Sequence, residues 1–382
     1  MSTTDFPRRV LMTTDAVGGV WDFSLELARG LRQKGIEVVL ASLGPEPDDA
    51  QRETASRLSL RLEARPFLLE WMAKPWEDVK ASGDWLLELQ QQYTCDLVHL
   101  NGYAHGQLPF TVPKLVVAHS CVLSWWRAIH DYTAPEEWRI YQREVGAGVR
   151  AAHHVTAPTR WMLESLASDY GPLPPNSVIH NGRSPAFFKP GVKRPFILAA
   201  GRVWDEAKNL RVLTRIGRSL PWPVKIAGSL SLLPDQRTPP GQPSTRGTNV
   251  HLLGRLSMTD LAMLYGEAAI YALPARYEPF GFSVLEAALS RCALVLGDIP
   301  SLRELWGDAA VFVDPADEAA LRSTLISLVR APEEVENWAA RAFARARSYG
   351  AAAMVDRYAD LYASLLAGAA AQPTPESSQC AS

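Results

Sequence analysis

The chain has 382 residues, 47% of them apolar, with a formal net charge of −2 and four cysteines. That length suggests two domains or one large one, and the near-neutral charge argues against a nucleic-acid-binding protein. Cys95, Cys121, Cys292 and Cys380 show no C-x-x-C spacing, so they suggest neither a zinc site nor a disulfide framework and fit a reducing compartment. The polar start, residues 1–9, lacks a signal-peptide pattern, and no run reaches the roughly 18 apolar residues of a membrane span.

Short apolar runs alternate with helical patterns along the chain. Strands are expected at Arg9–Thr13, Glu37–Ser42, Leu97–Leu100, Lys114–Ala118, His154–Ala157 and Ser177–His180. A second set is expected at Phe196–Ala200, Val224–Ala227, Val250–Leu253, Ala269–Ala272, Ala293–Leu296 and Ala310–Val313. Between them, Trp21–Lys34 and Met258–Glu267 carry apolar residues at helical spacing. Strands alternating with helices imply parallel sheets covered on both faces. A break rich in Gly, Pro and basic residues at Asn181–Arg194 separates two halves. The expected fold class is α/β: two Rossmann-like doubly wound domains facing across a cleft, 1–188 and 189–349. The Ala-rich helical stretch Ala351–Leu366 has no strand after it, so residues 350–367 are expected to cross back to the first domain. Residues 368–382 read as a disordered tail.

Ligands of such sheets bind at the carboxyl ends of strands. Four places there attract attention. Gly18-Gly19 follows the first strand and lets backbone approach a phosphate closely. It lacks G-x-G-x-x-G spacing, so a nicotinamide cofactor is not indicated. His119 ends another strand, where a neutral imidazole can hydrogen-bond a sugar hydroxyl. His99 is placed similarly but is read as structural. Arg202 and Lys208 lie in a loop after a strand and suit a diphosphate, one as a planar fork and one as a point charge. Glu278-Pro279-Phe280-Gly281 leads into Phe282-Ser283-Val284-Leu285-Glu286. Pro279 and Gly281 favour a loop first and a helix after it, with free N–H groups between the two carboxylates.

Other features read as packing or surface. Trp71, Trp76, Trp85, Trp125 and Trp126 are assigned to core and inter-helix packing rather than to a sugar-stacking wall. Arg57, Arg61 and Arg65, at i+4 steps, are expected on one solvated helix face. His153-His154 is not metal-like, because strand neighbours point to opposite faces.

Taken together, these residues resemble the retaining glycosyltransferases of family GT4, which have the GT-B fold. The resemblance runs from about Val10 to Leu366, and its most specific element is the E-x7-E motif Glu278…Glu286. Ala157-Pro158-Thr159, His180-Asn181-Gly182, Gly254-Arg255-Leu256 and Asp314-Pro315 support it. The family implies a nucleotide-diphosphate sugar donor, an acceptor-side first domain and a donor-binding second one; no Asp-x-Asp metal motif is evident, so no metal is expected. It implies catalytic roles for His119, Arg202, Lys208 and Glu278. It places Gly18, Gly19, Arg255, Leu256, Phe280, Gly281, Phe282, Ser283 and Glu286 around the donor, with Glu286 on the ribose. The cysteine usage and N-terminal pattern lead to the expectation of a cytoplasmic protein, with peripheral contact to the inner face of the membrane as an open reading. The acceptor, whether glycan, lipid or small molecule, is unnamed; first-domain loops Gly102–Gly106 and Ser120–Asp131 would meet it. Ser120, Asn209 and Arg183 depart from the residues common in the family, where Asp, Gly and Val are frequent. Two rival readings share the fold: a nucleotide-sugar epimerase, and a non-catalytic nucleotide-sugar-binding protein.

Overall fold

The structure, a computed structural model, describes residues 6–130, 132–229 and 249–370. One sheet holds β1 (Arg9–Asp15), β2 (Glu37–Leu43), β3 (Arg61–Ala64), β4 (Leu97–Leu100), β5 (Lys114–Val117), β6 (His154–Ala157) and β7 (Asn176–Val178). The other holds β8 (Arg194–Ala200), β9 (Val224–Ala227), β10 (Val250–Gly254), β11 (Ala268–Leu273), β12 (Ala293–Gly297) and β13 (Val311–Val313). Their orders are β3-β2-β1-β4-β5-β6-β7 and β10-β9-β8-β11-β12-β13. Every pairing is parallel. Strands such as Lys114–Val117 and Ala268–Leu273 are buried throughout, as central parallel strands covered by helices must be.

In each sheet the strand order reverses once, at β1/β4 and at β8/β11. Those are the switch points where doubly wound sheets open a crevice for ligands. The segments that follow β1, β4, β8 and β11 contain Gly18, Asn101, Arg202 and Glu278. Topology alone therefore brings the sequence motifs to facing edges of two sheets.

The chain crosses between the sheets at residues 179–194 and returns at 349–351. The two crossings pair with each other: Arg183 N–H donates to Tyr349 O at 3.1 Å, and Ala351 N–H to Arg183 O at 3.2 Å. A Cβ on Gly182 would lie 2.5 Å from Gly350 O, so this contact needs glycine. The helix Ala351–Ala370 then packs on the first sheet, where Met354, Val355, Tyr358, Ala359 and Tyr362 complete the core around Phe23, Leu27 and Leu31.

Two expectations need correction. Arg57, Arg61 and Arg65 do not share a helix face. A helix covers Asp49–Arg57, Ser59 takes φ 51°, and Arg61 opens edge strand β3, paired with β2. Sheet pairing outweighs the charge spacing here. The C-terminal helix also continues to Ala370, three residues past the expected end, because its Ala-rich run sustains it through Gly368. Residues 371–382, with Cys380, lie outside the described residues, as do residues 1–5 and Asp131 of the expected acceptor loop. Among the described residues, no helix is long and apolar enough to cross a membrane.

The seat of the C-terminal helix gives a test. A Cβ on Gly30, in the helix Gly19–Gln33, would lie 2.3 Å from Val355 Cγ2. Gly30→Ala gains up to about 1 kcal/mol of helix propensity. Overpacking against a stiff Val costs about 1–3 kcal/mol. Denaturant unfolding should therefore show a net loss in Gly30→Ala and a recovery when Val355→Ala is added.

Candidate active site

The E-x7-E segment folds as a loop and a helix, Phe282–Leu289. Gly281 is its N-cap at φ 87°, a conformation that favours glycine, and no side chain caps the helix. Its first N–H groups are thus left for a ligand. The loop is anchored at both ends of Glu278. Ser301 Oγ donates to the Glu278 carbonyl at 2.6 Å. Tyr277 reaches into the other lobe, where its hydroxyl accepts from Cys121 N–H at 3.0 Å and lies 3.0 Å from Ser124 Oγ.

Both cations are held by carboxylates of their own lobe. The Lys208 ammonium pairs with Glu278, which is buried. Arg202 donates to Asp205 Oδ2 from Nη2 at 2.7 Å and from Nε at 3.2 Å, and its guanidinium lies 5.3 Å from the Trp204 ring centre. The first lobe comes up against them. A Cβ on Gly18 would be 3.6 Å from Arg202 Nη1, and one on Gly19 3.4 Å from the Phe282 ring. The helix starting at Gly19 also lacks a side-chain cap. Two uncapped helix N-termini, one per lobe, therefore converge with Arg202 and Lys208. The helix dipoles and both cations favour an anion at that point.

His119 belongs to a partly buried polar row. Asn101 Nδ2 donates to Thr13 O at 2.7 Å and to Ser24 Oγ at 3.2 Å, which fixes the amide's orientation. Asn101 Oδ1 must then accept from His119 Nε2 at 2.8 Å and His99 Nε2 at 3.1 Å. This leaves Nδ1 of each ring as an acceptor. His99 Nδ1 takes the Tyr362 hydroxyl at 2.6 Å, so the C-terminal helix supports the row. Burial, then the neighbouring His99, pushes the His119 ring down to about 3. His119 therefore stays neutral, and its Nδ1 suits a hydroxyl donor.

Glu286 is 5% exposed and holds a partner that the motif does not name. Arg183 Nε donates to Glu286 Oε1 at 2.8 Å, and Nη2 lies 2.7 Å from the same oxygen. Burial pushes the Glu286 carboxyl up to about 7; Asp22 adds to that, while Arg183 pulls it down. The Arg183 guanidinium is itself buried, which alone would lower its pKa, but Glu286, Asp22 and Glu26 raise it.

These groups line one cleft of about 2100 Å³ between the lobes. His119, Arg202, Lys208, Glu278 and Glu286 all reach it, as do Gly18, Gly19, Arg255, Leu256 and Phe280–Ser283. Arg255 is the outlier: 74% exposed, its Nη2 3.8 Å from Asp48 of the first lobe. Trp85 is in the core, and Trp76 packs against it. Trp71 and Trp125 line the cleft, and Trp126 packs on His130 with centroids 4.5 Å apart. Sequence reasoning missed Tyr277, Asn101 and Arg183 as site residues. Arg183 alone carried a signal, as a departure from the family's usual residue.

Two family models match: Glycosyltransferase Family 4 over residues 17–187 and Glycosyl transferases group 1 over residues 191–345. The chain belongs to glycosyltransferase family 4. O-antigen chain mannosyltransferase B of Escherichia coli is 28% identical over 151 residues, 38% of this chain and 40% of that protein's length. Sucrose-phosphate synthase of Thermosynechococcus elongatus superposes with a TM-score of 0.77 at 16% identity, covering 94% of this chain and 100% of that one. Anabaena HepE in complex with UDP and glucose gives 0.72 at 15% identity, covering 94% and 100%. At such identities the structural likeness establishes the GT-B fold.

The Tyr277 anchor can be tested directly. Tyr277→Phe leaves the buried Cys121 N–H without its hydroxyl partner, a loss of about 1–3 kcal/mol. Urea unfolding should show that loss, and an unchanged midpoint would mean that Tyr277 is not the anchor.

Proposed function

We propose that this member of family 4 moves a sugar from a nucleotide-diphosphate donor to an acceptor hydroxyl, with retention at the anomeric carbon. One observation carries the reading: two uncapped helix N-termini from opposite lobes meet Arg202 and Lys208 in one cleft. That is a built site for a diphosphate. The UDP-bound relative HepE supports a nucleotide donor.

The donor's C1–O bond to phosphate breaks as C1 bonds the acceptor oxygen on the same face. The acceptor proton passes to the departing phosphate oxygen. Charge builds on the leaving diphosphate, where Arg202, Lys208 and the Phe282 helix terminus stabilise it. Preorganised electrostatics of this kind is usually the largest catalytic term. In this reading the two cations take the place of a divalent metal. Glu278 orients Lys208 through their ion pair. His119, neutral with Nδ1 as acceptor, takes a donor-sugar hydroxyl. Glu286 takes ribose hydroxyls, so the two carboxylates do not form the flanking pair of a double displacement.

Lys208→Ala should lower turnover at least ~100-fold, by analogy with removing one oxyanion donor. Steady-state assays with UDP-, GDP- and ADP-sugars, with and without acceptor, check this. Free nucleotide formed only with acceptor supports transfer. An epimerised sugar formed without acceptor contradicts it, as does full turnover in Lys208→Ala.

A further inference from the structure

Arg183 is 6% exposed and stands on the crossover, outside both sheets. Its guanidinium faces three carboxylates drawn from both lobes. Glu286 Oε1 lies 2.8 Å from Nε, Asp22 Oδ1 is 3.6 Å from Nη2, and Glu26 Oε2 is 3.8 Å from Nη1. Asp22 and Glu26 sit on the helix Gly19–Gln33, whose N-terminus faces the cleft. The Phe282 and Phe188 ring centres flank the guanidinium at 5.1 and 5.6 Å. The backbone of Arg183 is pinned by the bridge to Gly350. A planar fork held this way has little freedom, and its partner carboxylate inherits that order. Both contacts use Oε1 of Glu286, which leaves Oε2 for a ligand hydroxyl.

We propose that Arg183 is a positioning residue for nucleotide recognition: it holds the Glu286 carboxylate in place for the ribose hydroxyls and ties it to the first helix of the opposite lobe. This rests on the ribose role of Glu286 given above. A plain structural ion pair would contribute to stability alone. A positioning residue also governs discrimination between ribose and its dideoxy form. Burial favours a protonated Glu286, and Arg183 opposes it. Among the described residues, the other ionisable groups near this carboxyl are Asp22 on the first helix, Tyr265 on the helix Met258–Glu267 and Tyr271 on β11; Glu26, paired with Arg29, faces Arg183.

The test is calorimetric titration with UDP, GDP and ADP, each beside its 2′,3′-dideoxy counterpart. In the unmodified protein, loss of the hydroxyls should weaken binding at least ~10-fold, the usual size for hydrogen bonds to a charged group. In Arg183→Met that gap should fall below ~3-fold, and Arg183→Lys should restore part of it. The gap should open as pH rises through about 7 in the unmodified protein, and at higher pH in Arg183→Met. If Arg183→Met does not fold, Arg183→Lys is read alone, and an undiminished gap there overturns the proposal. Glu286→Ala separates the two claims. If it abolishes the gap while Arg183→Met keeps it, the proposal fails and the ribose role stands. If Glu286→Ala keeps the gap, the ribose role itself is wrong.

Discussion

Two helix N-termini that point at one space repel each other through their partial positive ends. Arg202 and Lys208 add two full charges to the same space. The fold tolerates this because each cation has a carboxylate of its own, Asp205 for Arg202 and Glu278 for Lys208. These partners hold the cations in orientation. A ligand diphosphate would then meet donors already aimed, and little reorganisation would remain at the moment of reaction. The rest of the structure serves that arrangement. The reversal of strand order brings both loops to the cleft. Tyr277 and the crossover at Arg183 keep the lobes close enough for both to contribute.

A second network crosses between the lobes at Glu286. Glu286 belongs to the second lobe, Asp22 and Glu26 to the first, and Arg183 to the crossover joining them. Removing Arg183 would leave the buried Glu286 carboxylate without its cation and facing Asp22, which is costly. Lobe orientation and carboxylate geometry are therefore coupled through one side chain. A hinge motion about the paired crossings at Arg183 and Gly350 would reach Glu286 through that same residue. On the far side of the cleft, the row His119–Asn101–His99–Tyr362 plays a comparable part. It links His119 in the cleft to the returning C-terminal helix, so that helix supports the site as well as the core.

The sheet strands were legible in sequence because buried parallel strands leave short apolar runs between helical patterns, as in Lys114–Val117 and Ala293–Gly297. Edge strand β3 was not legible. Arg61–Ala64 is half exposed, so no apolar run marks it, and charge spacing suggested a helix instead. The loop-then-helix reading of Glu278–Glu286 follows from Pro279 and Gly281 alone, and the helix begins at Phe282 as those residues require. Partnerships were the hidden part. Nothing local says that Arg183 meets Glu286, 103 residues away, or that Tyr277 meets Cys121, 156 residues away. Such pairs are set by how the two sheets face each other, and one sequence carries no record of that.

In the proposed function the cleft is built for a diphosphate rather than for a nucleoside. Calorimetric titration of UDP, GDP and ADP, each against uridine, guanosine or adenosine, tests it most directly. Two charge-assisted contacts, worth about 1.5–3 kcal/mol each, predict that at least one diphosphate binds ~100-fold or more tightly than its own nucleoside. Equal affinities for every pair, or a gap that survives loss of both Arg202 and Lys208, would contradict it.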